Sequence, residues 1–198
     1  MGDTTSAKQE LKRNRARMYF LEAAKEMIHS AGVESITVRK VADAAGYSYP
    51  TLYNYFEDLN ELLWETRQYM ICELVGIMQQ KMQASIRDAE DLKKMFRTYM
   101  EYYVTNPNVF RFFYFLSLQK PNKQTQDDEP DFSAMWSESF KSFVISGRLN
   151  EKDIEAVAKT SIYAIHGMLT LHFSNNGDLS VNANLYRDLE KIVDFLLK

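Results

Sequence analysis

Apolar residues recur at spacings of three and four along most of the 198-residue chain, the period of helices that bury one face. No segment shows the strict alternation of a half-buried strand, and no internal repeat is present. A first helix is predicted from Arg13 to Ala31, with Phe20, Ala24, Met27, Ile28 and Ala31 inward and Gly32 as its stop. Residues 1–8 offer nothing to bury and are expected to be disordered. Val38, Val41, Ala42 and Ala45 form a second apolar face, which starts at Thr37 as N-cap and ends at Gly46. Ser48 is the expected cap of a third helix, with Pro50 in its first turn and Leu52 and Phe56 inward.

Asp58 and Glu61 then stand at capping-box spacing before a long helix to about Ser85. Further helices are predicted over Ala89–Thr105, Pro107–Leu118, Phe132–Ser146, Glu151–Ser174 and Asn182–Leu197. Asn106-Pro107, the polar loop Lys120–Pro130, Gly147 and Asn175–Asp178 separate them. The expected fold class is all-α, with a three-helix unit over 1–57 and a helical bundle over 58–198.

The third helix has an unusual outer face. Tyr49, Pro50, Tyr53 and Asn54 fall together at i, i+1, i+4 and i+5, flanked by Thr51 and Tyr55. This face offers donors, acceptors and flat apolar edges, with no acid to repel phosphate. Those are the requirements for a helix that enters the major groove of DNA.

These residues resemble the N-terminal helix-turn-helix domain of the tetracycline-repressor (TetR) family of bacterial transcriptional regulators. The matching positions are Phe20-Leu21-x-Ala23-Ala24, Gly32, Thr37-Val38, Val41-Ala42-x-Ala44-Ala45-Gly46-Tyr47-Ser48 and Thr51-Leu52-Tyr53-x-Tyr55-Phe56. The resemblance implies a DNA-binding domain over 1–57 and a ligand-binding and dimerisation domain over 58–198. It further implies that Arg39, Tyr49, Pro50, Tyr53 and Asn54 face base edges. Thr37, Lys40, Ser48, Thr51, Tyr53 and Tyr55 would position the helix through phosphates. Many members carry a lysine three residues after the Tyr-Phe pair, where this chain has Leu59.

Helix-turn-helix proteins are commonly dimers that read two half-sites. The family resemblance implies a homodimer through the last two helices. The stripes Ile162, Ile165, Leu169, Phe173 and Leu185, Leu189, Ile192, Phe195, Leu196 are compatible with it and are expected to serve both the dimer and the monomer core. The expected function is a ligand-responsive repressor, released from a near-palindromic double-stranded DNA operator by a small apolar or aromatic effector. An activator, a regulator controlled by a protein partner, and a helical binding module with a degenerate DNA domain are the alternatives. Tyr99, Tyr103, Phe110, Phe113, Tyr114, Trp136, Phe140 and His166 are the candidate effector contacts, on residues that plain core packing would also use.

Composition changes this picture little. Hydrophobic residues at 45% and charged residues at 26% are ordinary for a globular chain, and the net charge is −3. Charge is local instead: Lys8, Lys12, Arg13, Arg15 and Arg17 cluster with only Glu10 opposing them. The cluster suits either a phosphate-contacting arm or a solvated terminus. No apolar stretch follows it, and Val109–Leu118 is short and interrupted by Arg111, so neither a secretory signal nor a membrane span is expected. The single Cys72 excludes an internal disulfide and suits a cytoplasmic location. His166 and His172 point in different directions on one helix, and no hydrolase elbow, phosphate loop or zinc-helix motif occurs. No catalytic residue, metal or cofactor is expected.

Overall fold

The computed structural model describes residues 3–81, 86–121, 132–174 and 179–198. The expected end of the long helix at Ser85, most of the Lys120–Pro130 loop, and Asn175–Asp178 lie outside the described residues. Among the described residues there is no strand. The helices are α1 (Asp3–Ala31), α2 (Val38–Ala44), α3 (Tyr49–Leu52), α4 (Leu59–Lys81), α5 (Ala89–Thr105), α6 (Pro107–Tyr114), α7 (Phe132–Glu138), α8 (Lys141–Ile145), α9 (Ile154–Phe173) and α10 (Leu179–Leu196). They form two compact units, one from residues within 1–73 and 108–128, the other from residues within 74–107 and 129–198. Within the first unit, α4 through Glu73 and the chain from Asn108 pack with the N-terminal helices.

In the first unit α1 starts about ten residues before the expected Arg13, so most of the segment expected to be disordered is helical. Ala7, Lys8, Gln9, Glu10, Leu11 and Lys12 are all exposed. Their high helix propensity extends α1 without burial. The core centres on Phe20, fully buried with Ala24, Ile28, Val41, Ala42 and Leu52. Its ring lies 5.0 Å from Tyr47, 5.4 Å from Tyr55 and 6.1 Å, edge-on, from Phe56. These rings fix the turn and the end of the helix-turn-helix against α1.

Polar contacts run along the seam between α1 and α4. Arg17 Nε donates to Glu65 Oε2 at 2.8 Å, Tyr69 donates its hydroxyl hydrogen bond to Glu22, and Lys25 Nζ donates to Glu73 Oε1 at 3.0 Å. The near-constant offset along the chain means that α1 and α4 run in the same direction here. The capping box at the start of α4 is partly as expected. Asp58 Oδ1 accepts from the Glu61 amide at 2.8 Å, but the Glu61 carboxylate reaches back one residue further, to the Glu57 N–H.

Helix α6 is tied into this unit at both ends. Asn108 Nδ2 donates to the His29 carbonyl at 3.1 Å. Past its end, Asn60 exchanges two bonds with the Gln119 backbone, at 2.7 and 3.0 Å. Those bonds use the Gln119 amide and carbonyl, and α6 stops at Tyr114 rather than continuing to Leu118.

The second unit is built on α5, whose bounds match the sequence expectation. Asp88 caps it by accepting from the Glu90 and Asp91 amides, both at 3.0 Å. Leu92, Met95, Phe96, Tyr99, Met100 and Tyr103 are its buried face. The helix expected over Phe132–Ser146 is two helices. Phe140 is buried at the break, and the Phe140 and Phe143 amides donate to carbonyls only three residues back. Ser139 Oγ competes for the Met135 carbonyl at 3.0 Å, the bond by which serine loosens a helix. Of the two proposed dimer stripes, Ile165, Leu169, Leu185 and Leu189 are buried within the unit. Lys93 also bridges α5 to Asp194 of α10 at 2.7 Å.

Candidate nucleic-acid interface and regulatory core

The turn between α2 and α3 follows from local chemistry. The Thr37 hydroxyl accepts from the Lys40 amide at 3.3 Å, closing the start of α2. Gly46 has φ +78°, the left-handed conformation that ends a helix most cheaply without a side chain. Ser48 holds the N-cap backbone position, but its hydroxyl does not cap. It pairs with the Thr51 hydroxyl at 2.8 Å. Regular α-helix lasts only from Tyr49 to Leu52, after which three-residue turns carry the chain to Tyr55.

Short as α3 is, its two faces are distinct. Leu52 and Phe56 are buried, whereas Tyr49, Pro50, Tyr53 and Asn54 are all exposed. Tyr49 and Tyr53 leave 47% and 51% of their surface open, which is far above what a large aromatic residue keeps in a core. Arg39, from α2, stands with its guanidinium carbon 5.3 Å from the Tyr49 ring centroid. This stacking joins α2 and α3 into one surface and orients the Arg39 fork. Thr37, Lys40 and Ser48 are exposed at its edge, with Thr51 and Tyr55 half-buried. Lys40 Nζ donates to the Ser35 carbonyl at 3.0 Å, so its ammonium is tethered beside the start of α2. The Tyr55 ring lies tilted against Phe20. Leu59 is half-buried.

Sequence reading missed two contributors. Tyr47, half-buried in the turn, rests on Phe20 and stands 6.5 Å from Tyr19, and so links the turn to α1. Its place directly after Gly46 was the available signal. Arg17 was grouped with the free basic cluster. It is instead held by Glu65, with its guanidinium 5.2 Å from the Phe56 ring.

The proposed effector contacts divide between the units. Phe110, Phe113 and Tyr114 belong to the first, where Phe110 and Tyr114 lie 5.1 Å apart. In the second, Tyr99, Tyr103, Trp136 and Phe140 are buried together with Phe96. Tyr99 meets Tyr103 and Trp136 edge-on at 5.0 and 5.1 Å. Among these rings Tyr99 Oη and His166 Nε2 share a hydrogen bond of 2.9 Å. Burial pushes the His166 pKa down to about 4, so the ring is neutral at pH 7. Among the described residues no three His, Cys, Asp or Glu side chains are grouped to hold a metal ion, and no helix is long and apolar enough to cross a membrane.

An exposed polar-aromatic face on a short helix, held over a buried hydrophobic scaffold, defines a helix-turn-helix DNA-binding domain. Residues 20–66 match the family described as "Bacterial regulatory proteins, tetR family". That match covers the helix-turn-helix and the start of α4, and the chain as a whole has the all-α fold of the solved regulators that follow. FadR from Bacillus subtilis, a transcriptional regulator solved in complex with stearoyl-CoA, superposes with a TM-score of 0.65 at 16% identity, over 91% of this chain and 97% of that one. FadR from Thermus thermophilus, a repressor in complex with lauroyl-CoA, gives 0.59 at 18%, over 91% and 93%. RolR in complex with resorcinol gives 0.60 at 13%, over 93% and 95%. No curated protein sequence matches the chain significantly.

Proposed function

We propose that this chain is a TetR-family regulator, a homodimeric repressor that leaves a near-palindromic operator when a small apolar or aromatic effector binds. The observation that carries the DNA part is the face formed by Arg39, Tyr49, Tyr53 and Asn54, exposed on a domain whose opposite side is buried. Arg39 is the principal base reader, since a guanidinium takes both major-groove acceptors of a guanine. Tyr49, Pro50, Tyr53 and Asn54 face base edges. Thr37, Lys40, Ser48, Thr51 and Tyr55 set the register through phosphates.

Dimerisation through α9 and α10 leaves room for both uses of their apolar residues. Ile165, Leu169, Leu185 and Leu189 close the unit, while Tyr163 and Phe195 remain 67% and 72% exposed. Outward aromatic groups of this size suit an interface. The effector reading is supported by the aromatic cluster around Tyr99, Trp136 and His166, which carries a few polar groups, the hydrogen-bonded Tyr99–His166 pair among them. Among the fold relatives, two are solved with acyl-CoA, which carries an apolar acyl chain, and one with the aromatic resorcinol. Release requires that the effector bind more tightly to a dimer whose two α3 helices are wrongly spaced for the operator.

Fluorescence anisotropy with the DNA upstream of the protein's own coding sequence tests this reading, with Tyr49→Ala/Tyr53→Ala as control. Selective binding that the double variant loses is the expected result. Sequence-blind binding that the variant retains would overturn it.

A further inference from the structure

The basic residues before the helix-turn-helix separate into two sets. Arg17 and Lys25 are neutralised by Glu65 and by Glu22 and Glu73. Lys8, Lys12 and Arg15 are exposed, and among the described side chains none of the three enters an ion pair or hydrogen bond. Because α1 begins at Asp3, these three sit on regular helix at i, i+4 and i+7. They form one stripe on the side turned away from Ala24 and Ile28. Glu10 falls on the opposite side, with Ile28, and does not screen them.

The stripe continues at i+11 into Tyr19, an exposed ring that stands beside Tyr47 in the α2–α3 turn. At 1.5 Å per residue the line from Lys8 to Tyr19 is about 16 Å long. That is sufficient to face several phosphates of one strand, which are spaced about 3.4 Å along the duplex axis. All three cations lie outside residues 20–66, the segment that matches the family.

We propose that the Lys8–Lys12–Arg15 stripe is a second DNA-contacting surface, which holds the phosphate backbone flanking the bases read by α3. It rests on the DNA-binding reading above and adds to it a sequence-blind, salt-sensitive part of the affinity. The fit is one of charge and position. Three cations, unpaired among the described side chains, project from a helix whose next outward residue adjoins the helix-turn-helix, and no acid stands on the stripe between Lys8 and Tyr19.

The test uses the full chain, Lys8→Ala/Lys12→Ala/Arg15→Ala, and Arg13→Ala as a cation off the stripe. Two labelled duplexes serve as probes, one selected by the unaltered protein from a random pool and one of random sequence, each titrated across salt concentrations. Alanine at exposed helical positions keeps α1 intact, which circular dichroism checks. The expected result is a log–log salt slope reduced by about 2 to 3 per protomer in the triple variant, at about 0.9 per lost phosphate contact. Both duplexes should weaken by a similar factor, so that selectivity is kept, and Arg13→Ala should leave the slope near that of the unaltered chain. An unchanged slope in the triple variant would overturn the stripe while leaving the α3 reading intact. So would loss of binding to phosphatidylglycerol vesicles in that variant with DNA binding unaffected. Failure of the unaltered chain to bind any duplex would overturn both readings.

Discussion

The Tyr99 hydroxyl meets His166 Nε2 at 2.9 Å inside the aromatic cluster of the second unit. Burial holds the imidazole neutral by pushing its pKa down to about 4, against about 6.5 for a free histidine. The unfolded chain therefore takes up this proton more readily than the native one. Stability from this group is whole above pH 6.5 and is lost as pH falls from about 6.5 towards 4, by at most about 3 kcal/mol. His166→Gln keeps a partner for Tyr99 but cannot titrate. Urea unfolding midpoints measured at pH 7.5 and pH 4.5 should fall further for the unaltered chain than for the variant, and equal falls would contradict the assignment.

Arg39, stacked on Tyr49, should carry sequence selectivity rather than bulk affinity. A bidentate arginine–guanine contact discriminates by about 1–3 kcal/mol, and lysine cannot reproduce its fork. Arg39→Lys keeps the charge. Its affinity for a selected operator should drop roughly tenfold or more, while random-sequence DNA is bound nearly as before. Competition binding with the two duplexes measures the ratio. An unchanged ratio would move base reading to Asn54 and the tyrosines.

The Arg17–Glu65 pair joins α1 to α4 with a carboxylate that is nearly buried. Removing the arginine alone leaves Glu65 without that cation, which should cost about 1–2 kcal/mol given that Arg17 is partly solvated. Arg17→Ala/Glu65→Ala removes the nearly buried carboxylate as well and should recover part of that loss. A double-mutant cycle in urea gives the coupling, expected at about 0.5 kcal/mol or more. Strict additivity would show that the pair only decorates the seam.

Much of this architecture is legible from residue order alone. Thr37, Gly46, Asp58 and Asn106-Pro107 mark boundaries through local backbone chemistry, and the structure has those boundaries where the residues demand them. The face of Tyr49, Pro50, Tyr53 and Asn54 follows from helical spacing, and it survives even though only one turn of α3 is regular. What escaped depends on contacts distant in sequence. Helical spacing puts Arg17 on the side of Phe20 and Ala24, opposite Arg15, but its partner Glu65 lies 48 residues on, where no local pattern reaches. Likewise Phe110, Phe113 and Tyr114 share the composition of the Tyr99 cluster, yet compact packing groups them with the first unit. The division of Phe132–Ser146 into α7 and α8 depends on Phe140 being buried, while periodicity there suits a single helix.

Gly46 and Gly76 provide opposed tests of how the backbone specifies the DNA-binding turn. A side chain at either position meets nothing within 4 Å, so crowding plays no part in either substitution. Gly46 sits at φ +78°, where a Cβ costs about 1 kcal/mol or more. Gly46→Ala should therefore destabilise the chain. It should also weaken operator binding, because the strain is relieved most easily by shifting the turn that seats Tyr49. Gly76 lies in the interior of α4, away from the left-handed region. Alanine there restricts the unfolded chain and suits the helix, so Gly76→Ala should stabilise by about 0.5–1 kcal/mol. Thermal unfolding should show the two variants displaced in opposite directions from the unaltered chain. A stabilised Gly46→Ala would mean that the turn adopts another conformation in solution, and the orientation of Tyr49 and Tyr53 derived from it would then fail.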